Sequence, residues 1–142
     1  AVTGHYPCGM CSVCKFTKAS KTITLPDGKL WTQRTHMNCN STKCIYLITC
    51  PCEKHYVGMT SRPVKRRIME HRSTICCGRS STKLTNHYLE LKHHADELYW
   101  TILEVVNNET QLFQTEQRWV FQLNTSNTGL NDAIPWSLLG RN

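Results

Sequence analysis

The chain has 142 residues, with 17 Lys+Arg against 10 Asp+Glu for a formal charge of +7, and carries nine Cys and seven His. That length fits one domain with at most a small appendage, and a charged fraction of only 19% argues against wholesale disorder. No apolar run approaches the roughly 20 residues of a membrane span, no charged segment followed by an apolar one opens the chain as a signal peptide would, and a start at Ala1 reads as a piece of something longer.

Residues 1–43 read as a zinc-binding N-terminal extension, a knuckle followed by a hairpin. The knuckle is Cys8-Gly9-Met10-Cys11-Ser12-Val13-Cys14, two overlapping Cys-x-x-Cys steps that let neighbouring thiolates point at one ion. The hairpin is Thr22–Leu25, a Pro26-Asp27-Gly28 turn, and Leu30–Thr32. This part has too few large apolar residues to fold by burial alone, so it needs a staple. Cys39, just past the second hairpin strand, is the expected fourth ligand, with Cys44 as its rival. An odd, clustered cysteine count beside seven His favours zinc in a reducing compartment. A disulfide-bonded extracellular protein is the competing class, which free thiols exclude.

Residues 44–142 read as an α+β unit, a small antiparallel sheet flanked by helices. Cys44–Cys50 is a strand, Pro51–Lys54 a turn, and His55–Gly58 a second, antiparallel strand. Pro63 opens a helix with Thr60 or Ser61 as N-cap, and Val64, Ile68 and Ile75 mark its buried face. A second helix follows over 82–92, a strand over Leu98–Val106, and an amphipathic helix over Gln111–Leu123. The tail holds Gly129-Leu130-Asn131 and an apolar patch at 134–139. Cys50 and Cys52 at the turn, with His87 and His93 near the end of the second helix, make a Cys2His2 zinc set; His94 is the alternative to His93. The first helix region concentrates charge: Arg62, Lys65, Arg66, Arg67 and Arg72 stand against Glu70 alone. Such a cluster neutralises phosphates, or is simply a solvated face.

One constellation suggests chemistry. Tyr46 and Tyr56 lie ten residues apart on consecutive strands, an even step that brings both phenols to one face of a regular hairpin. Arg67 and His71 are four apart and share a helix face. Glu116 falls in the apolar stripe Leu112, Trp119, Val120, Leu123, where a carboxylate is costly unless a metal or an ion pair, with Arg67 the candidate partner, compensates it.

Ile45-Tyr46, Tyr56-Val57-Gly58, Arg67, Glu116 and Asn131, in this order, resemble the GIY-YIG endonuclease family over residues 44–132. The runs Tyr46-Leu47-Ile48-Thr49-Cys50-Pro51-Cys52 and Arg67-Ile68-Met69-Glu70-His71-Arg72-Ser73, with the upstream cysteines, narrow the resemblance to the endonuclease domain of Penelope-like retroelements. The resemblance implies Tyr46 as general base or water-orienting group and Tyr56 as a hydrogen bond to the phosphate or nucleophile. It implies Arg67 as stabiliser of phosphate charge, His71 as proton-accepting helper, Glu116 as the Mg²⁺ or Mn²⁺ ligand, and Asn131 as support. Arg62, Lys65, Arg66 and Arg72 are the expected DNA contacts. Cys44 stands where the first motif has its Gly, a departure that strand geometry tolerates.

Arg and a hard divalent cation are what phosphodiester hydrolysis asks for, because negative charge builds on the phosphoryl and leaving oxygens. The resemblance therefore implies a metal-dependent nuclear endonuclease that nicks DNA and leaves a 3′-hydroxyl for reverse transcription. Its partners are DNA, a reverse transcriptase in the same longer chain and element RNA, with no membrane. A catalytically inactive zinc module that only binds nucleic acid is the alternative.

Overall fold

The structure is a computed structural model describing residues 2–79 and 82–132; the apolar patch at 134–139 lies outside the described residues. The N-terminal part contains β1 (Gly4–Tyr6), the hairpin of β2 (Thr22–Thr24) and β3 (Leu30–Thr32), and β4 (His36–Asn38). The hairpin turns as its residues demand: Gly28 has φ 85°, and the Asp27 side chain accepts from the Lys29 N–H at 3.0 Å. β1 and β4 pair in parallel, His5 opposite Met37. Sequence pattern does not reveal that pair, because three-residue strands carry no readable alternation.

β5 (Cys44–Thr49), β6 (His55–Thr60) and β7 (Tyr99–Val105) form a three-stranded antiparallel sheet in the order β6-β5-β7. α1 (Val64–Cys76) and α2 (Lys83–Glu90) lie between β6 and β7 in the chain, and α3 (Leu112–Leu123) follows β7. Cys76 is the last residue of α1.

Central β5 is buried on both faces, and its alternate residues sort into two cores. Cys44, Tyr46 and Ile48 pack with Val64, Ile68 and Ile75 of α1, Leu84 and Tyr88 of α2, and Val13, Phe16, Met37 and Cys39 of the N-terminal part. Ile45 and Leu47 pack on the other side with Leu112, Trp119, Val120 and Leu123 of α3 and Leu25 of the hairpin loop. The result is a three-layer α+β fold in which the cysteine knuckle shares a core with the tyrosine-bearing strand.

Both outer edges of the sheet are covered, the β7 edge by side chains and the β6 edge by a side chain and a backbone amide, which an exposed edge strand needs to avoid pairing with another chain. On β7, Gln33 donates to the Ile102 carbonyl and Trp31 Nε1 to the Leu103 carbonyl, each at 2.7 Å. Trp100, fully buried, donates to the Val13 carbonyl at 3.0 Å and ties β7 to the knuckle. On β6, Leu130 N–H donates to the His55 carbonyl at 2.7 Å, and Asn131 takes the next position along.

The start of α1 differs from expectation. Neither Thr60 nor Ser61 caps it; Pro63 occupies the N-cap and offers no side-chain acceptor. The Val64 and Lys65 amides instead donate to the carbonyls of Ser41 (2.9 Å) and Cys39 (3.1 Å). Amides that a helix leaves unpaired are satisfied here by a distant loop, so the cysteine-bearing segment holds the start of the helix that carries Arg67 and His71. α2 is capped conventionally, Thr82 Oγ1 accepting from Thr85 N–H at 3.2 Å.

Candidate active site

Antiparallel pairing sets Tyr46 opposite Gly58 and Ile48 opposite Tyr56, which brings both tyrosines to the face covered by α1. Their ring centroids are 6.4 Å apart, and the His71 ring lies 5.8 Å from Tyr46 and 5.3 Å from Tyr56. Tyr46 Oη and His71 Nε2 are 2.7 Å apart. Tyr46 is wholly buried and His71 nearly so.

Gly58 makes this possible, a role the sequence reading misses. A Cβ on Gly58 would stand 2.3 Å from Tyr46 Oη and Cζ, so the phenol lies across a backbone that only glycine leaves open. The signal was present as the Gly of Tyr56-Val57-Gly58, directly opposite Tyr46.

Burial sets the proton inventory. It pushes the Tyr46 phenol well above the ordinary tyrosine range, Tyr56 adding to the rise and Arg67 opposing it. Tyr56 is raised by burial as well, again against Arg67. His71 is pushed down to about 3, by burial first and the Arg67 charge second. At neutral pH Tyr46 therefore keeps its proton and His71 is neutral. With the imidazole proton on Nδ1, Nε2 accepts the Tyr46 O–H, so a proton leaving Tyr46 has a destination.

Arg67 does not pair with Glu116. It donates to Glu70 at 3.2 Å, and Arg62 donates to the same oxygen at 2.7 Å. Glu116 sits half-buried at the margin of the α3 stripe, whose inner place Thr115 takes. Among the described residues its polar partner is Gln117, whose Nε2 donates at 2.8 Å, and no cation lies in ion-pair range. Burial raises its pKa, opposed by Gln117 and by the Arg67 charge. α3 packs along edge strand β6, so Glu116 approaches the tyrosines from the opposite layer, and its charge reaches both phenols. A half-buried, under-compensated carboxylate of this kind fits a hard divalent cation.

Of two other expected roles, that of Asn131 as support is made specific and that of Arg72 changes. Asn131 does not face the reacting groups: its Oδ1 accepts from Val57 N–H and its Nδ2 donates to the Val57 carbonyl, both at 2.8 Å. Both the oxygen and the nitrogen of its amide pair the β6 edge next to Tyr56, which makes it a positioning residue. Arg72 donates to Asp96 at 2.5 Å and lies 4.1 Å over the Phe16 ring, so its charge joins α1 to the knuckle instead of facing outward. Arg66 is exposed and Lys65 half-buried, and neither is in an ion pair among the described residues.

Both metal sets assemble, and all nine cysteines are free. The thiols of Cys8, Cys11, Cys14 and Cys39 lie within 4.8 Å of one another, as do the ligand atoms of Cys50, Cys52, His87 and His93. Cys39 completes the first set, while Cys44 lies buried in β5. His93 completes the second, while His94 accepts from Asp96 N–H at 3.0 Å. The donor chemistry fits a cation. Cys8, Gly9 and Lys54 amides donate to Cys39, Cys14 and Cys50 sulfurs at 3.2–3.3 Å, and His93 Nε2 is a buried nitrogen with no hydrogen-bond partner. Either set can hold zinc.

Residues 42–131 match the family model described as the GIY-YIG catalytic domain. The chain belongs to the GIY-YIG family. Two solved structures of the catalytic domain of I-TevI, an intron and homing endonuclease, are similar to it. One, carrying a Glu-to-Ala substitution, is 25% identical with a TM-score of 0.54, covering 63% of this chain and 91% of that one. The other is 24% identical with a TM-score of 0.55, covering 64% and 98%, and bears on the fold alone. No curated protein sequence matches the chain. GIY-YIG catalytic domains form a nuclease family that uses a divalent metal, and this chain has the α+β fold of that family.

In this GIY-YIG domain, Gly58→Ala forces the Tyr46 ring aside. Overpacking of that kind costs about 1–3 kcal/mol; the expected result is a lowered denaturation midpoint and a displaced His71 ring resonance, and an unchanged resonance would contradict the packing. Acid should also weaken the fold. His71 and buried His5 titrate at about 3 and about 4 when folded but near ~6.5 when unfolded. Their depressed pKa values make unfolded chain the better proton acceptor between those limits, so stability is level above about pH 6.5 and falls below it. Each contributes up to about 1.4 kcal/mol per pH unit. Denaturation from pH 7.5 to 4.5 should show a shallower slope in His71→Asn than in the parent.

Proposed function

We propose that this chain is a divalent-metal-dependent DNA endonuclease that nicks one strand and leaves a 3′-hydroxyl. The observation that carries the reading is the convergence of Tyr46, Tyr56, Arg67 and His71 with the lone carboxylate of Glu116. Arg67 holds the scissile phosphate and offsets the charge that builds on it. Tyr56 donates a hydrogen bond to the phosphate or to the attacking water. Tyr46 accepts the water proton as its own passes to His71, and the incoming phosphate charge counters the Arg67 cation that helps keep His71 unprotonated. Glu116 is the residue that would hold Mg²⁺ or Mn²⁺, which would supply positive charge against the negative charge that builds on the phosphoryl and departing oxygens. Lys65 and Arg66, with Arg62 beside them, face DNA as a basic surface.

The same reading extends to biology. The Cys-Pro-Cys turn, the ordered site residues and the upstream cysteines support a nuclear role in a Penelope-like retroelement. The chain there forms part of a longer protein with a reverse transcriptase that copies element RNA from the nicked end. Both cysteine-containing sets carry structural zinc, the first steadying the start of α1 through Cys39.

Supercoiled plasmid should be nicked by the protein with Mg²⁺, and Arg67→Ala and Glu116→Ala should each slow nicking by about 10²-fold or more, in line with loss of one charge-stabilising group. The nick should be extendable by polymerase without end repair. DNA binding that is lost with salt, without any nicking, would instead favour an inactive binding module. Metal analysis should find two zinc ions per chain, falling to one in Cys39→Ser and to one in His87→Ala; parent protein with less than one would refute the zinc sites.

A further inference from the structure

Arg67 borders a second space that the mechanism above does not use. A groove of about 430 Å³ runs past the end of β6 between the starts of α1 and α3. The α1 side supplies Arg62 and Arg67, the α3 side Glu109, Leu112 and Phe113, and β6 supplies Met59. Leu112 is buried and Met59 half-buried, which makes part of the lining apolar. Phe113 keeps 47% of its surface exposed, a large aromatic face left to water beside two guanidinium groups.

That combination selects among occupants. A phosphate alone is served by the arginines but not by Met59 and Leu112, and the Glu109 carboxylate repels it. An apolar peptide suits Phe113 but not the guanidinium groups. A nucleotide matches each group: its phosphate meets Arg67, its base face stacks on Phe113, and its amino edge donates to Glu109. Because Arg67 belongs to both spaces, the base must come from a nucleotide adjoining the scissile phosphate. We infer that the groove receives that base, turned out of the duplex onto Phe113. The inference rests on the nuclease reading and adds to it a nucleotide-binding subsite. Extruding a base is least costly where it is mismatched or single-stranded, so the subsite favours cleavage next to unpaired bases.

The experiment uses duplex oligonucleotides spanning a mapped nick site, with 2-aminopurine placed in turn on each side of the cleaved bond. Uncleaved complexes are held with Ca²⁺ in place of Mg²⁺. The expected result is a fluorescence rise of several-fold at one flanking position, lost in Phe113→Ala and kept in Phe113→Tyr. Phe113→Ala should cut the paired duplex about tenfold more slowly, mainly through KM, yet regain most of its rate on a duplex mismatched at that position. A purely structural role would slow both duplexes alike. Wild-type protein that cuts DNA with no fluorescence change at either position, or a Phe113→Ala defect that the mismatch does not relieve, overturns the subsite alone. Wild-type protein that cuts no DNA overturns the nuclease reading, and the subsite with it.

Discussion

The buried contact of Tyr46 with Gly58 and His71 is the constraint on which the remaining geometry rests. A phenol with no access to water must hydrogen-bond inside the protein or carry the penalty of an unpaired polar group. His71 supplies the partner at 2.7 Å, and this requires α1 to lie at one distance and rotation over the sheet. Gly58 has no Cβ to hold the ring away from β6. Once these three residues are placed, Arg67, one helical turn before His71, has to face the same phenols.

A helix held to that tolerance needs its start fixed, and α1 has no side-chain cap of its own. The carbonyls of Cys39 and Ser41 do the capping, and Arg72 fastens the far end to Asp96 and Phe16. Both devices reach into the N-terminal extension or the segment before β7. The cysteine knuckle is therefore mechanically continuous with the site, sharing a core with Tyr46, and a cation bound there acts on α1 through the backbone of one of its own ligands.

Much of this could be read from residue order. The Tyr46/Tyr56 step, the Arg67/His71 spacing, the hairpin turn and the close cysteine spacings Cys8/Cys11/Cys14 and Cys50/Cys52 depend on local periodicity, which sequence displays directly. What stayed hidden depends on contacts between distant segments. The β1–β4 pair spans about thirty residues with strands too short for a pattern. The true cap of α1 lies more than twenty residues upstream. Asn131 is expected near the chemistry by resemblance, yet nothing in its neighbourhood says that its amide mimics a strand and closes the β6 edge. Arg72 looks like its basic neighbours, and only the fold sets Asp96 and Phe16 against it.

The charge arrangement around Arg67 follows from the same crowding. A guanidinium beside one buried and one half-buried phenol needs a counter-charge while no phosphate is present, and Glu116 is too far off to pair with it. Glu70 takes that place, but it is shared: its oxygen is 2.7 Å from Arg62 and 3.2 Å from Arg67, and Arg62 is the larger cause of its lowered pKa. Glu70 remains compensated by Arg62 when Arg67 turns to a phosphate, so the exchange leaves no carboxylate stranded. An arginine with a loosely held partner stays oriented without being neutralised, which is what a group awaiting a developing negative charge requires. Arg62, at the exposed edge, is thereby a counter-ion for Glu70 as much as a contact for DNA.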